Sequence, residues 1–170
     1  MEAQTLLSIY NSLEELGVPI WIDGGWGVDA LLEFQTRDHS DLDIVIEQKH
    51  VLQLRNFLKD YQEIKLEIAR PHNFVLADPS GNEIDVHVIE MDEFGNGIYG
   101  PAEKGEMFPS ASLSGVGKIN GQIVRCISPE WSLNFHSGYE LKEKDYRDMS
   151  ALCTKFKLEL PPEYQKFHIK

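Results

Sequence analysis

The chain has 170 residues, 42% of them hydrophobic and 26% charged, with a formal charge of −12, the make-up of a globular protein able to bury one core. The acidity argues against a protein that grips nucleic acid by its phosphates, which needs a dense basic face, and favours a small cation as any charged partner. No apolar run approaches the roughly 18–20 residues that cross a bilayer, and the acidic N-terminus lacks a signal peptide's basic start, so the expectation is a cytoplasmic protein with no membrane contact. Cys126 and Cys153 have neither disulfide-framework nor zinc spacing and are read as reduced thiols.

Residues 3–16 place Leu6, Leu7, Ile9, Tyr10, Leu13 and Leu16 on one helical stripe that Gly17 stops. Val18 to Ile22 reads as a strand ended by Gly24 and Gly25, and a helix carrying Val28, Leu31 and Leu32 follows. Leu42 to Ile46 is the next strand, and Gln48 to Tyr61 reads as a helix with Val51, Leu54, Phe57 and Leu58 inward. "IKLEIA", "HNFVLAD" and "EIDVHVI" are strand candidates, the last two joined by the turn-forming "DPSGN". Asp92 to Gly115 has little periodicity and reads as a long functional or mobile loop. "GVGKINGQIVRC" predicts a hairpin with Asn120-Gly121 as a type I′ turn. Ser128, Pro129 and Glu130 open a helix with Ser128 as N-cap; a last helix runs from about Lys144 to Phe156, and "LPPEYQKFHIK" is a tail.

Residues two apart on a strand share a face, so Asp41 and Asp43 point one way while Leu42, Ile44 and Ile46 point toward a core. The same rule puts Glu83, Asp85 and His87 opposite Ile84, Val86 and Val88. If these strands are neighbours, Asp85 meets the aspartate pair, and three converging carboxylates call for a cation between them. Hard oxygen ligands point to Mg²⁺, which binds through a few carboxylates and substrate phosphates. Gly24 and Gly25, between a strand and a helix, are placed to cradle a phosphate. The competing reading of an Asp-x-Asp alone is an acidic, solvated sheet face. A second competitor lies in "GWGVDA", which fits the dinucleotide-binding G-x-G-x-x-A, with Glu47 where a ribose-binding acid would sit. Against it, the rest of the chain supplies hairpins and no second βαβ half.

Taken together, "WIDGGWGVDALL", "TRDHSDLDI", "EIDVHVI" and "VRCISPEWSLNFHSGYEL" resemble the small antibiotic nucleotidyltransferases, the lincosamide nucleotidyltransferases above all, with the 2″-aminoglycoside adenylyltransferases as near relatives. The resemblance runs from about Val18 to Leu152. It implies an α+β, DNA polymerase β-like nucleotidyltransferase fold: a mixed sheet flanked by helices, with a helical C-terminal part. One domain would span 1–170, the catalytic sheet core occupying about 1–91 and the substrate loop, hairpin and C-terminal helices about 92–170. It also implies transfer of AMP from ATP to an antibiotic hydroxyl with Mg²⁺. By position, Asp41 and Asp43 match the family's metal-binding pair, Asp85 its third aspartate, and Gly24 and Gly25 its phosphate-side glycines. Arg37 and His39 sit where the family also has Arg and His; Arg37 reads as a phosphate ligand or as an exposed loop arginine. His136 and Tyr139 in "FHSGY" match the lincosamide branch, and either line the nucleotide or drug site or cap a helix by packing. Glu83 and His87 flank Asp85 on the substrate side. Segment 92–115 departs from the family in detail, so the acceptor is less fixed than the reaction. An aminoglycoside acceptor and an antitoxin-type enzyme that modifies a partner protein are the alternatives. A homodimer is compatible with the resemblance, because acceptor pockets in related enzymes can involve a second subunit.

Overall fold

The computed structural model describes residues 1–64, 72–100, 106–137 and 139–167. Helix α1 (Ala3–Glu15) buries Leu6, Leu7, Ile9, Tyr10 and Leu13, as its stripe demands. Leu16 leaves that stripe: it is the C-cap and is 51% exposed, because the helix ends one residue before it. Strand β1 (Ile20–Asp23) runs straight into α2 (Gly24–Leu32), whose residues Trp26 to Leu32 are all buried, as expected of a helix apolar on every side. Strand β2 (Asp41–Glu47) leads through a 3₁₀ turn at Gln48–His50 into α3 (Val51–Phe57). That helix is shorter than its apolar spacing predicts, although Leu54 and Leu58 are buried.

Strands β3 (Gln62–Ile64), β4 (Asn73–Ala77) and β5 (Glu83–Met91) form an antiparallel meander. Most of "IKLEIA" lies outside the described residues; only Ile64 belongs to β3. The segment read as loop is partly ordered. It contains β6 (Gly97–Ile98), β7 (Met107–Phe108) and a 3₁₀ turn at Ser112–Ser114, with β6 pairing to the end of β5 and to β7. The turns before and after β5 repeat one pattern, Asp-x-x-Gly-Asn. Asp78 accepts the backbone N–H groups of Ser80 and Asn82 and the Asn82 amide, and Asp92 does the same with Phe94 and Asn96.

Strands β8 (Gly115–Ile119) and β9 (Gln122–Cys126) make the expected hairpin, Asn120 and Gly121 having φ of 49° and 81° as a type I′ turn requires. Helices α4 (Pro129–Phe135) and α5 (Glu143–Phe156) follow. Ser128 occupies the N-cap position of α4, yet its hydroxyl makes no capping bond; only its carbonyl engages the helix, through Ser132 N–H. The terminal tail is anchored by a 3₁₀ turn at Pro162–Phe167, where buried Tyr164 donates its hydroxyl to the His136 carbonyl.

The strand order is β3-β4-β5-β2-β1-β9-β8, with β2–β5 and β1–β9 parallel and the other pairs antiparallel. The sheet is mixed, as expected. Because β1 and β2 are antiparallel, β1-α2-β2 is not the parallel βαβ unit that a dinucleotide fingerprint needs. One face of the sheet packs Leu42, Ile44, Ile46, Ile84, Val86 and Val88 into the main core with α1, α2 and α5. The other face carries Val45 and Ile89 in a smaller cluster with Phe108 and Ile127. That cluster covers one end of this face and leaves its acidic end open.

Candidate active site

Register brings the acids together. Across three adjacent strands, Asp23 of β1 pairs with Asp43 of β2, which pairs with Asp85 of β5; one step along the pleat, Asp41 pairs with Glu83. Residues directly opposite in a sheet share a face, so Asp23, Asp43 and Asp85 form a row. Ligand atoms of Asp43, Asp85 and His87 all lie within 4.8 Å of one another. Asp41 is outside that group; its carboxylate accepts from the Ser40 hydroxyl at 3.1 Å. Glu83 is exposed at the end of β5.

This crowding has an electrostatic consequence. Burial, first, and then the charges of Asp23, Asp41 and Asp85 push the Asp43 carboxyl from an ordinary 3.8 up to about 8, against a smaller opposing effect of Lys144. A group in this state lacks the positive charge that would let it ionise at neutral pH. The donor set fits a divalent hard cation: several carboxylates, open on one side.

Two clefts meet at this row. One, of about 490 Å³, is lined by Gly24, Gly25, Asp41 and Asp43 on the sheet side and by Arg37, Lys142 and Lys144 as cations. The other, of about 550 Å³, is lined by Asp23 and Asp43, by His87, Tyr99 and Glu106, and by an apolar wall that includes Met107, Phe108 and Phe135. Gly24, Asp43, His136 and Tyr139 border both. Glu83 borders neither.

Both glycines are sterically required. Gly24 has φ +56°, and a Cβ there would strike the Asp43 carboxylate; a Cβ at Gly25 would strike the His39 ring and the Arg37 guanidinium. His39 is buried, tilted against Trp26 with ring centres 4.6 Å apart, and its Nε2 lies 2.5 Å from Asp29 Oδ2. Arg37 is held from behind by Asp148 of α5, which accepts from Nε at 3.2 Å and from Nη2 at 3.0 Å. His136 ends α4 with Nδ1 2.8 Å from the Ser132 carbonyl. Burial and Asp145 push the Tyr139 hydroxyl up to about 12, so it remains a donor.

The likeness to known proteins decides the family. The aminoglycoside-2″-adenylyltransferase family matches residues 5–152. The chain is 32% identical over 148 residues, 86% of its length and 91% of the relative's, to a lincosamide resistance protein of Staphylococcus haemolyticus. It belongs to the aminoglycoside-2″-adenylyltransferase family. The lincomycin-bound structure of the lincosamide antibiotic adenylyltransferase LnuA superposes with a TM-score of 0.78 at 31% identity, over 89% of this chain and 96% of that one. ANT(2″)-Ia in complex with adenylyl-2″-tobramycin superposes with a TM-score of 0.73 at 21% identity over 98% of each chain, a likeness of fold. The protein is thus an antibiotic nucleotidyltransferase with the nucleotidyltransferase fold.

Several cleft residues of this nucleotidyltransferase escape a reading of its sequence. Asp23 could have been found, since it continues the alternation of β1 and immediately precedes the glycines. Tyr99, Lys142 and Lys144 in the clefts, Asn73 behind Asp85 and Asp148 behind Arg37 carry no local signal; strand pairing and the docking of α5 bring them there.

Proposed function

We propose that this nucleotidyltransferase moves AMP from ATP to a hydroxyl of a lincosamide, acting as a single cytoplasmic domain. The observation that carries the reading is the meeting of a cation-lined cleft and an aromatic-lined cleft at Asp43, which gives a donor and an acceptor adjoining places beside one set of carboxylates. Its likeness to a lincosamide resistance protein supports that acceptor over an aminoglycoside. Among the described residues, no helix is long and apolar enough to cross a membrane.

In this reading Arg37, Lys142 and Lys144 hold the triphosphate, with Gly24 and Gly25 leaving room for it beside α2. Asp41, Asp43 and Asp85 would hold Mg²⁺, which when bound neutralises charge on the phosphates. The acceptor hydroxyl oxygen forms a bond to the α-phosphorus as the bond to the bridging oxygen breaks, and pyrophosphate leaves with that electron pair. Asp85 takes the hydroxyl proton. Phe108, Phe135 and Met107 receive the apolar parts of the drug, and Glu106 faces its basic amine.

The test is pyrophosphate release from Mg-ATP across lincosamides and aminoglycosides, with mass spectrometry of the drug. Added AMP on lincomycin or clindamycin is the expected result. Added AMP on an aminoglycoside alone would overturn the acceptor and leave the reaction class standing.

A further inference from the structure

Beside Asp85 is a buried amide that neither the reaction outline nor the sequence motifs use. Asn73, 7% exposed on β4, places its Nδ2 2.5 Å from Asp85 Oδ1 and 3.3 Å from His87 Nδ1. The Tyr99 hydroxyl also lies 3.3 Å from His87 Nδ1. The geometry arises from register, since Asn73 sits directly opposite His87 on the antiparallel neighbour of β5.

Hydrogen-bond polarity then propagates along the row. A carboxylate oxygen accepts, so the end of Asn73 that touches Asp85 is the NH₂ group. The same NH₂ and the Tyr99 hydroxyl both reach His87 Nδ1 at 3.3 Å; a lone pair there accepts from both, whereas an N–H would satisfy Tyr99 only by opposing the Asn73 donor, so the arrangement favours the lone pair. With Nδ1 accepting, a neutral His87 carries its proton on Nε2. His87 borders the aromatic-lined cleft, and its Nε2 lies 3.9 Å from Asp85 Oδ1, which puts that N–H next to the carboxylate and the reacting hydroxyl.

We propose that Asn73 is a positioning residue that aims Asp85 and fixes the polarity of His87, so that the acceptor cleft offers an imidazole N–H to an oxygen of the acceptor. This rests on the antibiotic-adenylylating reading above and deepens it by naming what the cleft recognises next to the reacting hydroxyl. A donor at this position suits a hydroxyl or ether oxygen of a sugar. It opposes an ammonium group, which would meet N–H against N–H. A lincosamide, with one basic amine and a hydroxylated sugar, meets that requirement more readily than an aminoglycoside bearing several ammonium groups. Asn73 also occupies one oxygen of Asp85 and leaves the other to take the hydroxyl proton.

Three measurements test this. In metal-free wild-type protein, ¹⁵N–¹H NMR of His87 at a pH where it is neutral should show the proton on Nε2. A proton on Nδ1 would overturn the proposal, whatever the enzyme's substrate. Second, Asn73→Ala, checked for folding by circular dichroism, should lower kcat for lincomycin roughly 10- to 100-fold, the range for losing a hydrogen bond to a charged group. KM for ATP should stay within about twofold, because Asn73 does not face the cation-lined cleft. An equal rise in KM for ATP, or an unchanged kcat, would reduce Asn73 to a packing residue. Third, His87→Gln keeps an N–H donor and His87→Glu does not, at similar size. His87→Gln should retain about two- to tenfold more lincomycin transfer than His87→Glu, the range of one ordinary hydrogen bond. Equal activities would refute donor recognition. If wild-type protein adenylylates no lincosamide at all, the proposed function fails by itself, and the NMR measurement still decides the polarity of His87.

Discussion

At the scale of single residues, the most telling group is Asp43. Its carboxyl is raised from 3.8 to about 8 by burial and by the charges of Asp23, Asp41 and Asp85. In the metal-free protein the folded state therefore keeps a proton that the unfolded chain has lost between about pH 3.8 and pH 8. Stability falls with pH wherever the folded state binds more protons, so this carboxyl weakens the fold progressively across that window and has no effect below it. Asp43→Asn removes the penalty. Thermal melts without metal should give the variant a higher Tm than wild type at pH 7.5, the gap closing toward pH 3.8, while AMP transfer is abolished. A wild-type Tm equal to that of the variant at pH 7.5 would show that burial and the neighbouring acids do not raise this carboxyl. Asp85 makes a different prediction. In the proposed reaction Asp85 takes the hydroxyl proton, so Asp85→Asn should lower single-turnover transfer by about 10² to 10⁴ while ATP affinity by calorimetry changes far less. Transfer within about threefold of wild type would remove Asp85 from the chemistry.

At the scale of elements, α2 connects the fold to the site. It is buried along most of its length, begins at the two glycines that border the cation-lined cleft, and lies directly on the β8–β9 hairpin. The close approach occurs at Gly117, where a Cβ would strike the backbone of Ala30 and Leu31. Backbone cannot rotate aside as a flexible side chain can, so Gly117→Ala must push the helix off the hairpin. Overpacking of this kind costs about 1–3 kcal/mol, and the urea midpoint should fall accordingly. Gly121 is the control on the same hairpin: its Cβ would meet nothing within 4 Å, but φ of +81° disfavours a side chain there. Gly121→Asn, a residue that tolerates positive φ, should be accepted with little loss. An unchanged midpoint in Gly117→Ala would show that α2 is free to shift.

At the scale of the whole molecule, the charge of −12 is a field as well as a count. A cationic drug is drawn toward such a surface, and salt screens the attraction as the Debye length shrinks from about 10 Å at 0.1 M to about 3 Å at 1 M. With Mg-ATP saturating, kcat/KM for lincomycin should therefore fall as ionic strength rises from about 0.1 M to about 1 M. A rise would mean that the acceptor enters through a region the acidic surface does not influence. The local exception is the cluster of Arg37, Lys142 and Lys144, which an acidic protein needs if an anionic triphosphate is to bind.

The sequence by itself determined whatever is local. Alternation put Asp41 and Asp43 on the face opposite Leu42 and Ile44, and Asp85 opposite Val86, because side-chain direction in a strand has period two whatever its neighbours are. The hairpin turn at Asn120-Gly121 and the stripe of α1 follow from equally short-range rules. Tertiary structure decided which strands are neighbours, and with that the parallel pairing of β2 to β5 in the register that sets Asp43 against Asp85. It also added Asp23 to the row, Asn73 behind Asp85, Asp148 behind Arg37, and Lys144 beside Asp43. None of these has a local signature, because partner choice between distant segments is set by how their apolar faces pack together, and the polar residues at the open end of the sheet are carried into place by that packing.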